Sequence, residues 1–221
     1  MIYFFADDHF GKHPGQILHE QLPENLKSRM LFQENEWELF ESGRWVADCE
    51  LLVLHLIGET CGQPMPGEGA LKAIQEYVSR GGNILLLHGS SAALWGHAWW
   101  RGIVGLRWVR PKDPDGVEPS THPHAPCHVS LAKTRHPLMA RLQPMDLEYD
   151  EIYINLEQVN PVTIFLTTEV EGKTFPQAFE TVNPSGSVIA SFIPGHLPVN
   201  TQNPVLVKNV VEFVNYLLER R

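Results

Sequence analysis

Cysteine is scarce. Cys49, Cys61 and Cys127 are an odd number, widely spaced, with no CxxC pair. That pattern argues against a disulfide framework and against a cysteine zinc site, and reduced thiols in a cytoplasm are the expectation. Long apolar runs are missing too, since none approaches the roughly 20 residues that span a bilayer. The opening residues, Met1 to Asp8, lack a basic n-region and meet acid too soon for a signal peptide. Basic residues are few: 17 Lys plus Arg face 26 Asp plus Glu, a formal charge of −9. With no Lys/Arg cluster, neither nucleic acid nor a membrane is an expected partner. No long stretch is polar and aromatic-poor, which excludes extended disorder. What remains is a chain of 221 residues, 43% hydrophobic, that reads as a single domain over 1–221. The oligomeric state stays open, a homo-oligomer included. Histidine is the residue in excess, with 11 copies, and its placement carries most of the functional reading.

The first half alternates strand and helix signals. Ile2 to Ala6 is a short apolar run that ends at Asp7-Asp8-His9, and it reads as a strand. Residues 14–28 place Ile17, Leu18, Leu22 and Leu26 at helical spacing, with Pro23 expected to kink or restart the helix. Met30 to Phe32 reads as a short second strand. Leu51 to Ile57 and Asn83 to His88 are apolar almost throughout, as strands buried on both faces of a parallel sheet are. Between them Leu71, Ile74, Tyr77 and Val78 mark a helix over 67–80 that stops at Gly81-Gly82. The second half changes character. Leu106 to Cys127 has five prolines and no sustained period, and reads as a long excursion. Thr163 to Val170 and Thr174 to Val182 form a hairpin around Glu171-Gly172-Lys173, and Ser187 to Ile193 is a further strand. Pro204 opens a last helix with Leu206, Val210, Phe213, Val214 and Leu217 inward, and Arg220-Arg221 at its C-terminal dipole end. The expected class is α/β, a mostly parallel sheet with helices on both faces and an antiparallel hairpin in the second half.

Ligands of open parallel sheets bind outside the carboxyl ends of the strands. Three strands end at or just before a histidine: His9, His88 and His196. His88 is the sharpest of them. Strand, turn and then Gly89-Ser90-Ser91 outline a nucleophile elbow, but Leu-Leu-His-Gly-Ser is neither GxSxG nor GxCxG. Imidazole there suits a general base or a metal ligand. Ser90 and Ser91 read as helix caps before nucleophiles. His55, inside an apolar strand, reads as a hydrogen-bonded core residue, and His19 as surface.

The run Gly81-Gly82-Asn83-Ile84-Leu85-Leu86-Leu87-His88-Gly89 resembles the ThuA-like (trehalose-utilisation) family, whose fold is that of class I glutamine amidotransferases. The resemblance continues through His136-Pro137-Leu138, Tyr149-Asp150-Glu151-Ile152-Tyr153 and Gly195-His196, in that order. It implies a flavodoxin-like α/β fold, a pocket at the strand ends, no amidotransferase cysteine, and a link to carbohydrate metabolism.

If residues 152–154 are a strand, Asp150 and Glu151 point to opposite faces and only one enters the pocket. Following the family motif, Glu151 is chosen, as a general acid/base or as the orienter of a histidine. Tyr153 shares its face and could hydrogen-bond a sugar hydroxyl. His136-Pro137 reads as a turn. In the run His122 to His128, His-x-His spacing suits zinc or copper, but a loop histidine entering the site is an equal alternative, with one of the three expected to act. Trp95, Trp99, Trp100 and Trp108 follow the elbow, and a tryptophan face suits the C–H face of a sugar ring. The expected site is therefore His88, Glu151 and His196 in proton transfer, with His9, Tyr153 and Trp95 holding a small carbohydrate. A divalent metal, zinc above all, is a variant of the same site. The expected activity is proton transfer on a sugar or keto-sugar, without amidotransferase activity. The alternative is a non-catalytic sugar-binding or regulatory domain. Cys61, in a Gly-Glu-Thr-Cys-Gly loop without an elbow, is not expected to be a nucleophile.

Overall fold

The computed structural model describes residues 1–58, 62 and 65–220, so Cys61 and Arg221 lie outside the described residues. β1 (Ile2–Ala6) leads to α1 (Pro14–Gln21) and α2 (Glu24–Lys27). The helix expected over 14–28 is thus two, separated at Pro23, which has no N–H to continue the ladder. β2 (Met30–Glu34), α3 (Glu38–Ser42) and a 3₁₀ turn at Arg44–Ala47 precede β3 (Leu51–His55). α4 (Glu68–Ser79) then gives way to Gly81, whose φ of 81° is the left-handed turn that frees the chain for β4 (Ile84–Leu87). A 3₁₀ turn at His88–Ala92, α5 (Ala98–Ile103) and the short β5 (Leu106–Arg107) come next. β6 (His124–Leu131), β7 (Met145–Glu151), the short β8 (Glu157–Gln158), β9 (Thr163–Val170) and β10 (Lys173–Val182) make up the second half. β11 (Val188–Phe192), α6 (Pro198–Thr201) and α7 (Pro204–Glu219) complete the order.

One nine-stranded sheet runs β2-β1-β3-β4-β11-β10-β9-β6-β7. Its first five strands are parallel neighbours, and every pair from β11 to β7 is antiparallel. The α/β class holds, but the expected mostly parallel sheet is corrected to one that is half antiparallel. The reason lies in the 106–127 excursion, which ends in strand β6. Pro126 sits in β6 where the register with β7 slips between Ala125 and Cys127, so its missing N–H falls at an irregularity.

Side chains alternate across the sheet and build two cores. Ile2 and Phe4 pack with Leu18, Leu85, Phe213 and Leu217 on one face. Tyr3 and Phe5 pack with Phe40, Trp45, Leu54 and Ile74 on the other. Both faces of β1, β3, β4 and β11 are covered, so these strands are buried along their whole length. The polar residues after β1, β4 and β11 emerge together beyond the carboxyl ends. No helix among the described residues is long and apolar enough to cross a membrane.

Candidate active site

The site forms where β1, β4 and β11 end. His9, after β1, has φ 49°, and His88, the first residue after β4, has φ 48°. Both are left-handed non-glycine residues, a strained backbone that the surrounding packing must impose. His88 Nδ1 lies 3.0 Å from the Ile193 carbonyl, so this nitrogen carries a proton and donates it there. Gly195, at φ 116°, turns the chain after β11 so that His196 faces back. Asp150 holds that turn, accepting the backbone N–H groups of Gly195 at 2.8 Å and His196 at 3.0 Å. Asp150 and Glu151 do face apart, as expected. The strand, however, is β7 and ends at Glu151, where the sequence suggested that one began.

Around Glu151 the imidazoles converge. Its Oε2 is 3.2 Å from His196 Nδ1 and 3.5 Å from His88 Nε2. Its Oε1 is 3.3 Å from His124 Nε2 and 3.6 Å from His122 Nδ1. His196 Nδ1 is in turn 2.9 Å from His9 Nε2 and 3.1 Å from His88 Nε2, and the Tyr153 hydroxyl reaches His88 Nε2 at 3.3 Å. Four histidines therefore share one carboxylate, and His9 joins them through His196. Burial alone would raise the Glu151 pKa, but the hydrogen bond to His88 and the imidazoles around it win, holding it down at about 2. Desolvation acts the opposite way on the imidazoles: it pushes His196 down to about 3 and His9 lower still. At neutral pH Glu151 is therefore ionised, and burial favours the neutral forms of His9 and His196. Burial pushes Tyr153 above the ordinary phenol range.

A cavity of about 270 Å³ opens onto this cluster, lined by His9, His122, His196, Glu151, Tyr153, Trp108 and Arg110 among others. His88, expected at its heart, stands just behind the wall, against Glu151, His196 and Tyr153. Trp95 is a correction. It lies outside the cavity with the Arg110 guanidinium 5.7 Å from its ring centroid, and Trp108 takes the wall position, 4.3 Å from Tyr153 between ring centroids. The loop explains why: the Trp108 N–H donates to Ser91 Oγ at 3.2 Å, which folds residue 108 back over the elbow.

Other expectations resolve locally. Ser90 is buried, its hydroxyl 2.6 Å from the Leu87 carbonyl and accepting the Leu56 N–H at 2.9 Å, so it ties the turn to β3. Cys49 and Cys127 are buried in the two cores and do not line the cavity. His136 accepts the Leu138 N–H at 3.2 Å, a turn residue as expected. His55 is buried as expected, but its Nδ1 has no hydrogen-bond partner among the described residues. His19 is half-buried rather than surface, stacked on Phe32 at 4.8 Å. In the histidine run, two of the three reach Glu151, where one was expected. His128 instead pairs with Asp146 at 2.6 Å on the outside. Asp150, Arg110 and the second loop histidine were not singled out from sequence. The register that sets His124 opposite Glu151 in β6 and β7 is the signal that was out of reach.

Among the described residues, two groups of side chains could hold a metal ion: His9 with His88 and His196, and His122 with His124 and Glu151.

An α/β sheet whose candidate ligand groups gather past the carboxyl ends of its parallel strands defines a class of pocket protein. The chain belongs to the ThuA family (Trehalose utilisation), whose model matches residues 25–216. It is similar in structure to a ThuA-like protein from Parabacteroides merdae, with TM-score 0.69 and 16% identity over 96% of this chain and 87% of that one. A ThuA-like protein from Bacteroides uniformis is similar at TM-score 0.68 and 10% identity, over 98% of this chain and 91% of that one. A GH42 β-galactosidase from G. stearothermophilus, an E323A catalytic mutant, is similar at TM-score 0.55 and 13% identity, over 99% of this chain but 30% of the enzyme. These identities establish the fold alone. No curated protein matches the chain in a sequence search.

Proposed function

We propose that the protein is an enzyme of carbohydrate metabolism that moves a proton on a sugar or keto-sugar through a histidine–glutamate pair, without amidotransferase activity. The observation that carries this is Glu151, a carboxylate whose two oxygens each face a pair of imidazoles at the wall of a cavity. A carboxylate held at about pKa 2 is a poor base at carbon, because proton transfer is most efficient when the catalytic pKa lies near the working pH. Glu151 therefore acts as the charge that steadies an imidazolium. His122 lines the cavity with its side chain 44% exposed and Nδ1 3.6 Å from Glu151. A proton taken by His122 from the carbon beside a ketone leaves a cation next to that carboxylate. Returning the proton to the former carbonyl carbon, while the hydroxyl hydrogen passes from the first oxygen of the enediol to the second, would interconvert keto and aldo forms; returning it to the original carbon on the opposite face would epimerise. Tyr153, kept protonated, can donate to the oxygen on which negative charge develops.

The family's tie to trehalose utilisation and the Trp108 face beside polar groups support a carbohydrate. The cavity lies just below the usual ligand-pocket range of about 300–1,000 Å³, which favours a single sugar ring over an oligosaccharide. The test is a panel of free sugars and keto-sugars incubated with wild type and with Glu151→Gln, with products separated by chromatography. Conversion of at least one keto-sugar by wild type and its loss in the variant is expected. Binding of a sugar without conversion of any would instead select a non-catalytic sugar-binding domain.

A further inference from the structure

His9, His88 and His196 arrive from three different strand ends, yet their nitrogens meet. His196 Nδ1 lies 2.9 Å from His9 Nε2 and 3.1 Å from His88 Nε2, and the three atoms are all within 4.8 Å of one another. A ring nitrogen offers one proton or one lone pair, so His196 Nδ1 cannot satisfy both neighbours. The Nδ1 contact with the Ile193 carbonyl leaves Nε2 as the His88 nitrogen that faces the cluster. Imidazole nitrogens about 2.0–2.1 Å from a tetrahedral zinc lie about 3.3 Å apart, close to the spacings seen.

We propose that His9, His88 and His196 form a three-imidazole site for one divalent transition-metal ion, zinc being the expected occupant, with its fourth position turned toward Glu151 and the cavity. The Ile193 carbonyl acts as the outer partner that sets the tautomer and ring angle of His88, as outer partners of metal-bound histidines do. Glu151 Oε2, 3.2 Å from His196 Nδ1 and 3.5 Å from His88 Nε2, flanks the fourth position. His196 must present Nδ1 without its proton, so its Nε2 keeps one. The Lys12 ammonium lies 3.0 Å from that Nε2 and is only half-buried, so filling the site would require it to swing toward solvent. Neutral nitrogen ligands with an open position suit zinc over magnesium or calcium, which prefer oxygen. The bound ion would draw charge from a sugar carbonyl or hydroxyl oxygen placed at the fourth position. The site deepens the proton-transfer reading and rests on it for what occupies that position.

Zinc content decides the matter. The full chain, purified without chelator and dialysed after incubation with zinc chloride, is measured by inductively coupled plasma mass spectrometry. Circular dichroism checks the fold of each variant. About one zinc per chain is expected in wild type and in the His122→Ala/His124→Ala double variant. His9→Ala and His196→Ala should weaken binding by at least about tenfold, since outer partners alone are worth about 10–100-fold. Cobalt in place of zinc should give the visible absorption of a four-coordinate ion, lost in His88→Ala. Absence of zinc from folded wild type overturns the site, as does zinc that departs only with His122 and His124. The two readings separate cleanly. Keto-sugar turnover by a wild type that takes up no zinc sinks the metal site alone, and zinc bound without turnover of any sugar sinks the proton-transfer reading alone.

Discussion

The cleanest perturbation is His55→Leu, a near-isosteric change in the middle of the sheet. His55 is 1% exposed, its Nδ1 lacks a hydrogen-bond partner among the described residues, and burial pushes its pKa from 6.5 down to about 3. Above pH 6.5 the residue is neutral folded or unfolded and contributes no pH dependence. As the pH falls below 6.5 the unfolded chain takes up a proton there that the folded chain refuses, so stability drops until about pH 3. One proton of difference is worth about 1.4 kcal/mol per pH unit, so His55 alone removes about 2 kcal/mol between pH 6.5 and pH 5. His196 and His9 act in the same direction, their pKa values also depressed by desolvation. Asp7 acts the other way. Burial raises it to about 6, so between pH 6 and 3.8 the folded chain keeps a proton that the unfolded chain releases. The comparison of wild type with His55→Leu cancels these shared contributions. Urea unfolding at about pH 7 and pH 5 should show the variant gaining about 2 kcal/mol on wild type over that interval. A stability difference unchanged across the two pH values would refute the assignment of a neutral buried imidazole.

Arg107, with a side chain 3% exposed, donates to Asp113 at 2.7 and 3.0 Å and also pairs with Glu157. Arg107→Ala leaves these acids unpaired and should cost about 3–5 kcal/mol in urea unfolding. Trp108→Ala should weaken sugar binding about tenfold by calorimetry, in line with a ring contact worth about 0.5–1.5 kcal/mol, with a far smaller change for Trp95→Ala. A Cβ at Gly89 would lie 2.9 Å from the Tyr153 hydroxyl and 3.0 Å from Ile57 Cγ2. Gly89→Ala should therefore displace Tyr153 from His88 and lower kcat on a keto-sugar with the fold retained by circular dichroism.

The parts of the fold that could be read in advance are those where burial is two-sided. β1, β3, β4 and β11 are continuous apolar runs, and their ends are set by where the polar residues begin. β6 and β7 escaped because one face of each is exposed and a proline interrupts β6 at a register slip. The same division governs the site. His9, His88 and His196 could be placed because parallel strands deliver the residues past their carboxyl ends to one crevice. His122 and His124 depend on which residue of β7 faces which residue of β6, and no local pattern encodes that pairing. The choice between Trp95 and Trp108 likewise rested on a loop that folds back onto Ser91.

Deuterium uptake tests the central claim most directly. A keto-sugar that the wild-type protein converts is incubated with it in heavy water, and the carbon beside the ketone is monitored by proton NMR. Proton transfer at the Glu151 cluster predicts loss of that C–H signal with wild type. It predicts a rate slower by about 10²–10⁴-fold with Glu151→Gln, the usual span of acid–base catalysis. Conversion of the sugar without deuterium at that carbon, or uptake at the wild-type rate in Glu151→Gln, would contradict it.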